Sequence, residues 1–286
     1  SPALVLALTA TFSPGDRAAL ARPGYVAYRN VLKALHMIPV EIPCGPNERF
    51  QLTAAALEVL EAPPAGVILA SPANPTGSII PADELKAIAG VCRKLGARIV
   101  SDEIYHGISY GEPARCMLEF EPEAVLINSF SKYFNMVGWR LGWLLVPPDQ
   151  VHRAHAYSSN IFLTAPSLSQ HAALAAMDCQ DELQGHVEVY RANRALMLQA
   201  LPALGLDAIA PPDGAFYIYA DIAHLTQDSL AFCERLLRET GVATAPGVDF
   251  DPVEGGHFIR FSFAVSTEEV REALRRLEPW FKALAA

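Results

Sequence analysis

The strongest constraint in this sequence is a repeated alternation between short runs that are apolar throughout and longer segments with helical periodicity. Val67-Ile68-Leu69-Ala70 is bounded by Pro63-Pro64 on one side and Ser71-Pro72 on the other. Ile99-Val100, Val125-Leu126-Ile127 and Leu144-Leu145-Val146 are runs of the same kind. After the first of them Pro81 opens a helix whose Leu85, Ile88, Ala89 and Cys92 recur at i, i+3, i+4 and i+7, and Gly96 closes it. A strand with one wet face alternates polar and apolar residues, whereas a continuous apolar run needs cover on both faces. The pattern predicts an α/β fold with a mostly parallel sheet sandwiched by helices.

The character changes near Ala165. Pro166 to Leu201 is mostly helix-forming, with Gly185 as one candidate interruption, and shorter strands and helices follow. Ser266 and Glu269 fit a capping box ahead of an apolar stripe of Val270, Ala273, Leu274 and Leu277, and Pro279 is expected to kink or end that helix. These features predict a large unit over residues 1–165. A connecting helix and a smaller C-terminal α+β unit would occupy 166–286.

Composition narrows the partners. With 51% hydrophobic residues the 286-residue chain is a folded one. Its net charge of −9 carries no basic run, which argues against nucleic acid or an anionic membrane surface. No apolar run reaches the ~18 residues of a membrane span, and the apolar start lacks the basic residues of a signal peptide. Five scattered cysteines without a C-x-x-C pair read as reduced thiols of a cytoplasmic protein. His152 and His155 have metal-compatible spacing but no carboxylate or thiol to complete a set, so no metal is predicted.

In an open parallel sheet, ligands bind beyond the carboxyl ends of the strands. Here those ends carry Asn74, then Asp102 and Tyr105, then Ser129, Ser131 and Lys132. Any one could be an ordinary loop cap. Three chemically different clusters together predict a site for a ligand with separate acidic, basic and phenolic handles. Arg260 raises a separate question. It alternates with Ile259, Phe261 and Phe263 along a strand, so it needs an anion, either a structural carboxylate or a ligand.

The stretch Ser129-Phe130-Ser131-Lys132-Tyr133-Phe134-Asn135-Met136-Val137-Gly138-Trp139-Arg140-Leu141-Gly142 resembles the cofactor-lysine signature of class I/II pyridoxal-phosphate aminotransferases. Pro23-Gly24-Tyr25, Asn74-Pro75-Thr76-Gly77 and Ser101-Asp102-Glu103-Ile104-Tyr105 resemble three further motifs of that family, in the family's order. The resemblance implies the large cofactor domain and smaller C-terminal domain of fold type I. It also implies transfer of an amino group from an L-amino acid to a 2-oxo acid through a Schiff base of pyridoxal 5'-phosphate, in a homodimer.

Carried over position by position, the resemblance makes Lys132 the lysine that binds the cofactor aldehyde and moves the substrate proton. Asp102 becomes the partner of the pyridine nitrogen, and Asn74 and Tyr105 the donors to the phenolic oxygen. Arg140, eight residues after the lysine, and Ser129 become phosphate ligands, and Tyr25 stacks on the ring. Arg260, with Asn74, becomes the receptor of the substrate carboxylate. Ser1-Pro2-Ala3-Leu4 aligns with the end of the family's phosphate loop, which makes Ser1 a phosphate ligand and implies a further N-terminal segment in relatives. The same motifs are compatible with a carbon–sulfur β-lyase and with a noncatalytic ligand-sensing module.

Overall fold

The computed structural model describes residues 2–284. Six strands form the larger sheet: β1 (Arg17–Arg22), β2 (Ile38–Pro43), β3 (Gly66–Ala70), β4 (Arg98–Asp102), β5 (Val125–Ser129) and β6 (Gly142–Leu145). Their order is β2-β1-β3-β4-β5-β6. All neighbours are parallel except β6, which runs antiparallel to β5. A second, antiparallel sheet has the order β7-β9-β8, from β7 (Tyr217–Asp221), β8 (Ala245–Pro246) and β9 (Phe258–Ser262).

The helices are α1 (Pro2–Thr11), α2 (Val26–Ala34), α3 (Ala54–Glu58), α4 (Ala82–Leu95), α5 (Val151–Tyr157), α6 (Ser167–Ala176), α7 (Gln180–Ala200), α8 (Ser229–Thr240) and α9 (Thr267–Leu284). Alternate residues of the central strands explain why both faces needed cover. Val67, Leu69 and Ile99 pack with Leu57 of α3 and Leu85, Ile88 and Cys92 of α4. Ile68, Val100 and Val125 pack on the opposite face with Leu4 and Leu8 of α1 and Leu32 of α2. A third core joins α7, α8 and α9 to β7 and β9.

Four details depart from the sequence expectation. The first two strands lack a continuous apolar run, because Arg17, Arg22, Glu41, three alanines and two prolines dilute it. The strand at 142–145 is antiparallel, at the edge of the sheet. The break in the helix-forming stretch falls at 177–179, and Gly185 lies inside α7. Asp181 and Glu182 mark the true start, where acidic side chains meet the positive end of the helix. Buried Leu183 and Val187 hold the turn containing Gly185, offsetting the roughly 1 kcal/mol that a mid-helix glycine costs.

Pro279 neither ends nor interrupts α9, which continues to Leu284. Trp280 and Phe281 pack their rings against Phe232 of α8, and Phe281 is buried. The carbonyl that loses its donor belongs to Arg275, on the exposed side, where it faces solvent and not the core. The capping box forms as expected. The Ser266 N–H donates to Glu269 Oε2 at 2.9 Å, and the Glu269 N–H donates to Ser266 Oγ at 3.2 Å.

Backbone bonds tie the two sheets together. The Gly214 N–H donates to Gly77 O at 2.8 Å, Ala215 N–H to Ile108 O at 3.0 Å, and Tyr110 N–H to Asp213 O at 2.8 Å. The approach depends on glycine at 77, where φ is +73° and a Cβ would lie 2.9 Å from Gly214 O and 3.1 Å from Tyr217 O. On the other side Arg22 pairs with buried Asp251 at 3.1 Å.

Candidate active site

A cavity of about 850 Å³ opens beyond the carboxyl ends of β3, β4 and β5. It is lined by Asn74, Asp102, Tyr105, Ser129, Lys132 and Arg140, and also by Tyr25 and Ser131. The parallel register explains the convergence. Ala70 lies opposite Asp102, and Asp102 opposite Ile127, so β3 and β4 finish level and β5 runs two residues further, to Ser129.

Lys132 sits on a loop held by its aromatic neighbours. Phe130, which is buried, packs against Phe134 and against Trp143 of β6. Ser129 Oγ accepts the Ser131 N–H at 3.0 Å and lies 2.9 Å from Ser131 Oγ. Lys132 Nζ is 5.6 Å from the Tyr105 ring centre and 5.4 Å from that of Phe216. Burial, reinforced by the charges of Arg260 and Arg140, lowers the lysine pKa and makes its neutral amine more accessible. Arg140 is exposed, with left-handed backbone, and its Nη1 donates to Val137 O at 2.7 Å.

Asp102 is buried at the end of β4. Tyr28 of α2 donates its hydroxyl to Asp102 Oδ2 at 2.7 Å, and the Ile104 N–H donates to Oδ1 at 3.2 Å. Burial raises the carboxyl pKa and the two donors oppose that rise, so a cationic ligand facing the carboxylate would be welcome. Glu103 points the other way. Its Oε1 accepts from Ser101 Oγ and from the Met117 N–H, and its Oε2 pairs with His106.

Arg260 arrives from β9. Its Nη1 donates to Asn74 Oδ1 at 2.7 Å, and its guanidinium lies between Tyr217, 4.3 Å from the ring centre, and Phe250, at 4.7 Å. Its Nε has no partner, so the guanidinium retains hydrogen-bonding capacity for an anion. The aromatic sandwich makes that position tolerable for a cation without a carboxylate beside it. Tyr25 begins α2 with extended backbone and stacks edge-on against Tyr28 at 5.5 Å. Ser1 lies outside the described residues. Among the described residues no group of three or more His, Cys, Asp or Glu side chains could hold a metal.

Two site residues were not singled out from the sequence. Tyr28 stands three residues after Tyr25, one helical turn on, and that spacing was the available signal. Tyr217 follows Gly214-Ala215-Phe216, an aromatic pair behind two small residues. Its place beside the cavity depends on how the two sheets meet, which a local pattern does not encode.

Residues 1–277 match the family Aminotransferase class I and II. The chain belongs to the class I and II aminotransferases. It is 50% identical over 284 residues to a valine–pyruvate aminotransferase of Mycobacterium tuberculosis, covering 98% of this chain and 73% of that protein. It is 34% identical to an aspartate/prephenate aminotransferase of Thermus thermophilus, covering 93% and 70%. A crystal structure of an aminotransferase from Mycobacterium tuberculosis superposes with a TM-score of 0.96 at 48% identity, covering 98% and 73%. A Thermus thermophilus aspartate aminotransferase with maleate gives 0.89 at 32%, covering 97% and 73%. The activity is amino-group transfer, and aminotransferases of this family in general depend on pyridoxal phosphate.

Proposed function

We propose that this aminotransferase uses pyridoxal 5'-phosphate in the cavity around Lys132 to pass an amino group from an L-amino acid to a 2-oxo acid. The observation that carries the reading is the convergence of a lysine, a buried carboxylate, a phenol, an amide and an arginine on one cavity. That donor set fits a ligand with an aldehyde, a ring nitrogen, a phenolic oxygen and a phosphate. When bound, pyridoxal phosphate supplies an electron-accepting ring that acidifies the substrate Cα–H and carries the amino group between half-reactions.

In this reading Asp102 holds the proton on the ring nitrogen, and Tyr28 fixes the carboxylate by its hydrogen bond. Asn74 gives its Oδ1 to Arg260, which leaves its amide N–H groups for the phenolic oxygen, where Tyr105 also donates. Arg140, Ser129 and Ser131 hold the phosphate, and Tyr25 covers the ring. Arg260 takes the substrate carboxylate with its remaining donors, and Lys132, its pKa lowered, moves the proton at Cα. Residues 1–165 would form the cofactor domain, and 166–286 the connecting helix and the domain that brings Arg260.

The 50% identical relative is named for valine and pyruvate, and we assign this chain the same pair of substrates. A homodimer is supported by the apolar side chains exposed between 137 and 177, among them Val137, Ile161, Leu163, Leu168 and Leu174. Five free thiols fit a cytoplasmic setting. The test is borohydride reduction of the protein loaded with pyridoxal phosphate, followed by peptide mapping. Label on Lys132 supports the assignment, and label elsewhere refutes it. Alanine formation from pyruvate with valine as donor, measured beside aspartate and 2-oxoglutarate, tests the substrates, and sedimentation tests the dimer.

A further inference from the structure

Tyr217, the first residue of β7, contributes two contacts at once. Its ring is one wall of the sandwich around Arg260, and its hydroxyl lies 2.8 Å from that of Tyr105. Both tyrosines are buried and both line the cavity. A hydroxyl has one proton to donate and two lone pairs. Once Tyr105 gives its proton to an oxygen in the cavity, the proton between the two tyrosines must come from Tyr217. The pair then becomes a one-way chain, from Tyr217 to Tyr105 to the ligand. A hydroxyl that accepts a hydrogen bond is a stronger donor in turn. Burial raises both phenol pKa values, so both groups remain donors and do not ionise.

We infer that Tyr217 is a positioning residue of the amino-transfer site: its hydroxyl strengthens and aims the hydrogen bond that Tyr105 gives to the cofactor's phenolic oxygen. This rests on the cofactor assignment proposed above. The position is fixed by backbone, because Gly77 and Gly214 let the head of β7 abut the loops after β3 and β4. The residue thus links the sheet that carries Arg260 to the group that tunes the cofactor.

The experiment compares wild type, Tyr217→Phe, Tyr105→Phe and the double variant, each loaded with pyridoxal phosphate, by titrating the visible absorption band against pH. A donor to the phenolic oxygen favours the form that has lost its proton, so weakening the donor moves the midpoint up. Tyr217→Phe is expected to raise it by a few tenths of a unit, roughly the 10–30% by which an accepted hydrogen bond strengthens the bond that Tyr105 gives. Tyr105→Phe should raise it further, and the double variant should match Tyr105→Phe, because Tyr217 acts through Tyr105. A Tyr217→Phe midpoint equal to or below that of wild type overturns the proposal. So does an equal upward shift in both backgrounds. A wild-type protein with no titrating band sinks the cofactor assignment and this inference with it. Tyr217→Phe removes one atom and keeps the ring in its place in the core, so the variant is expected to fold. A melting curve on each variant separates a structural effect, which would lower the melting temperature without moving the midpoint.

Discussion

Gly77 and Gly96 allow the seam between the two sheets to be tested against an internal standard. Their backbones are nearly the same, with φ of +73° and +69°, a region where an alanine is strained. Their surroundings are opposite. A Cβ at 96, just past the end of α4, meets nothing within 4 Å. A Cβ at 77 lies 2.9 Å from Gly214 O, 3.1 Å from Tyr217 O and 3.2 Å from Pro212 Cα, all backbone atoms that cannot swing aside. Gly96→Ala should therefore cost the left-handed strain alone, about 1 kcal/mol. Gly77→Ala adds an overpacking cost of about 1–3 kcal/mol, for a total of about 2–4 kcal/mol.

Followed by circular dichroism, the first should lower the melting temperature by about 2–4 °C and the second by two to four times as much. Gly77→Ala should also weaken retention of pyridoxal phosphate, since it displaces Tyr217 and the loop of Asn74. Gly96→Ala should leave retention unchanged. Equal losses of stability in the two variants would refute the argument that close approach is what demands glycine at 77.

The remaining predictions concern charge and access. In the cofactor-free protein, buried Asp102 holds its proton more tightly than the unfolded chain does, because its pKa is raised. Its contribution to stability is therefore full below about pH 4 and declines as pH rises through the raised value. Asp102→Asn should remove that decline and raise the melting temperature at pH 7, while weakening pyridoxal phosphate binding. Coincident pH profiles for the two cofactor-free proteins would contradict this. Arg260→Lys loses the planar stack between Tyr217 and Phe250, and should raise the KM for the amino donor by about tenfold or more. An unchanged KM would remove Arg260 from substrate binding. Burial pushes the Cys44 thiol up to about 11 and Cys92 to about 12, so alkylation of the native protein at pH 8 should spare both until denaturant is added, as mass spectrometry would show.

Much of the frame was readable locally. The apolar runs at 67–70, 99–100 and 125–127 are buried on both faces, and that burial is why they lack alternation. The polar residues after them line one cavity because parallel neighbours bring their carboxyl ends to the same edge of the sheet. What escaped depends on tertiary contacts. The strand at 17–22 begins and ends with arginine, and only the sheet around it reveals Ala18, Ala19 and Leu20 as core. Pro279 signals a stop that two aromatic side chains override. Tyr217 has no motif of its own, and its part in the site follows from a contact spanning more than a hundred residues of chain.

The backbone bonds at Gly77, Ile108 and Tyr110 also divide the chain mechanically in a place the connectivity does not. Residues 213–217 follow the helices in sequence, yet they are bolted to the larger sheet. With three backbone bonds there, residues 213–217 are held to the larger sheet more firmly than their place in the chain suggests. The Arg22–Asp251 ion pair, beside the bond from the Gly24 N–H to Phe250 O at 3.1 Å, makes a second fastening. A side chain at 77 would press on backbone from both parts of the chain, whereas loss of Arg22 would remove one contact beside a backbone bond that persists.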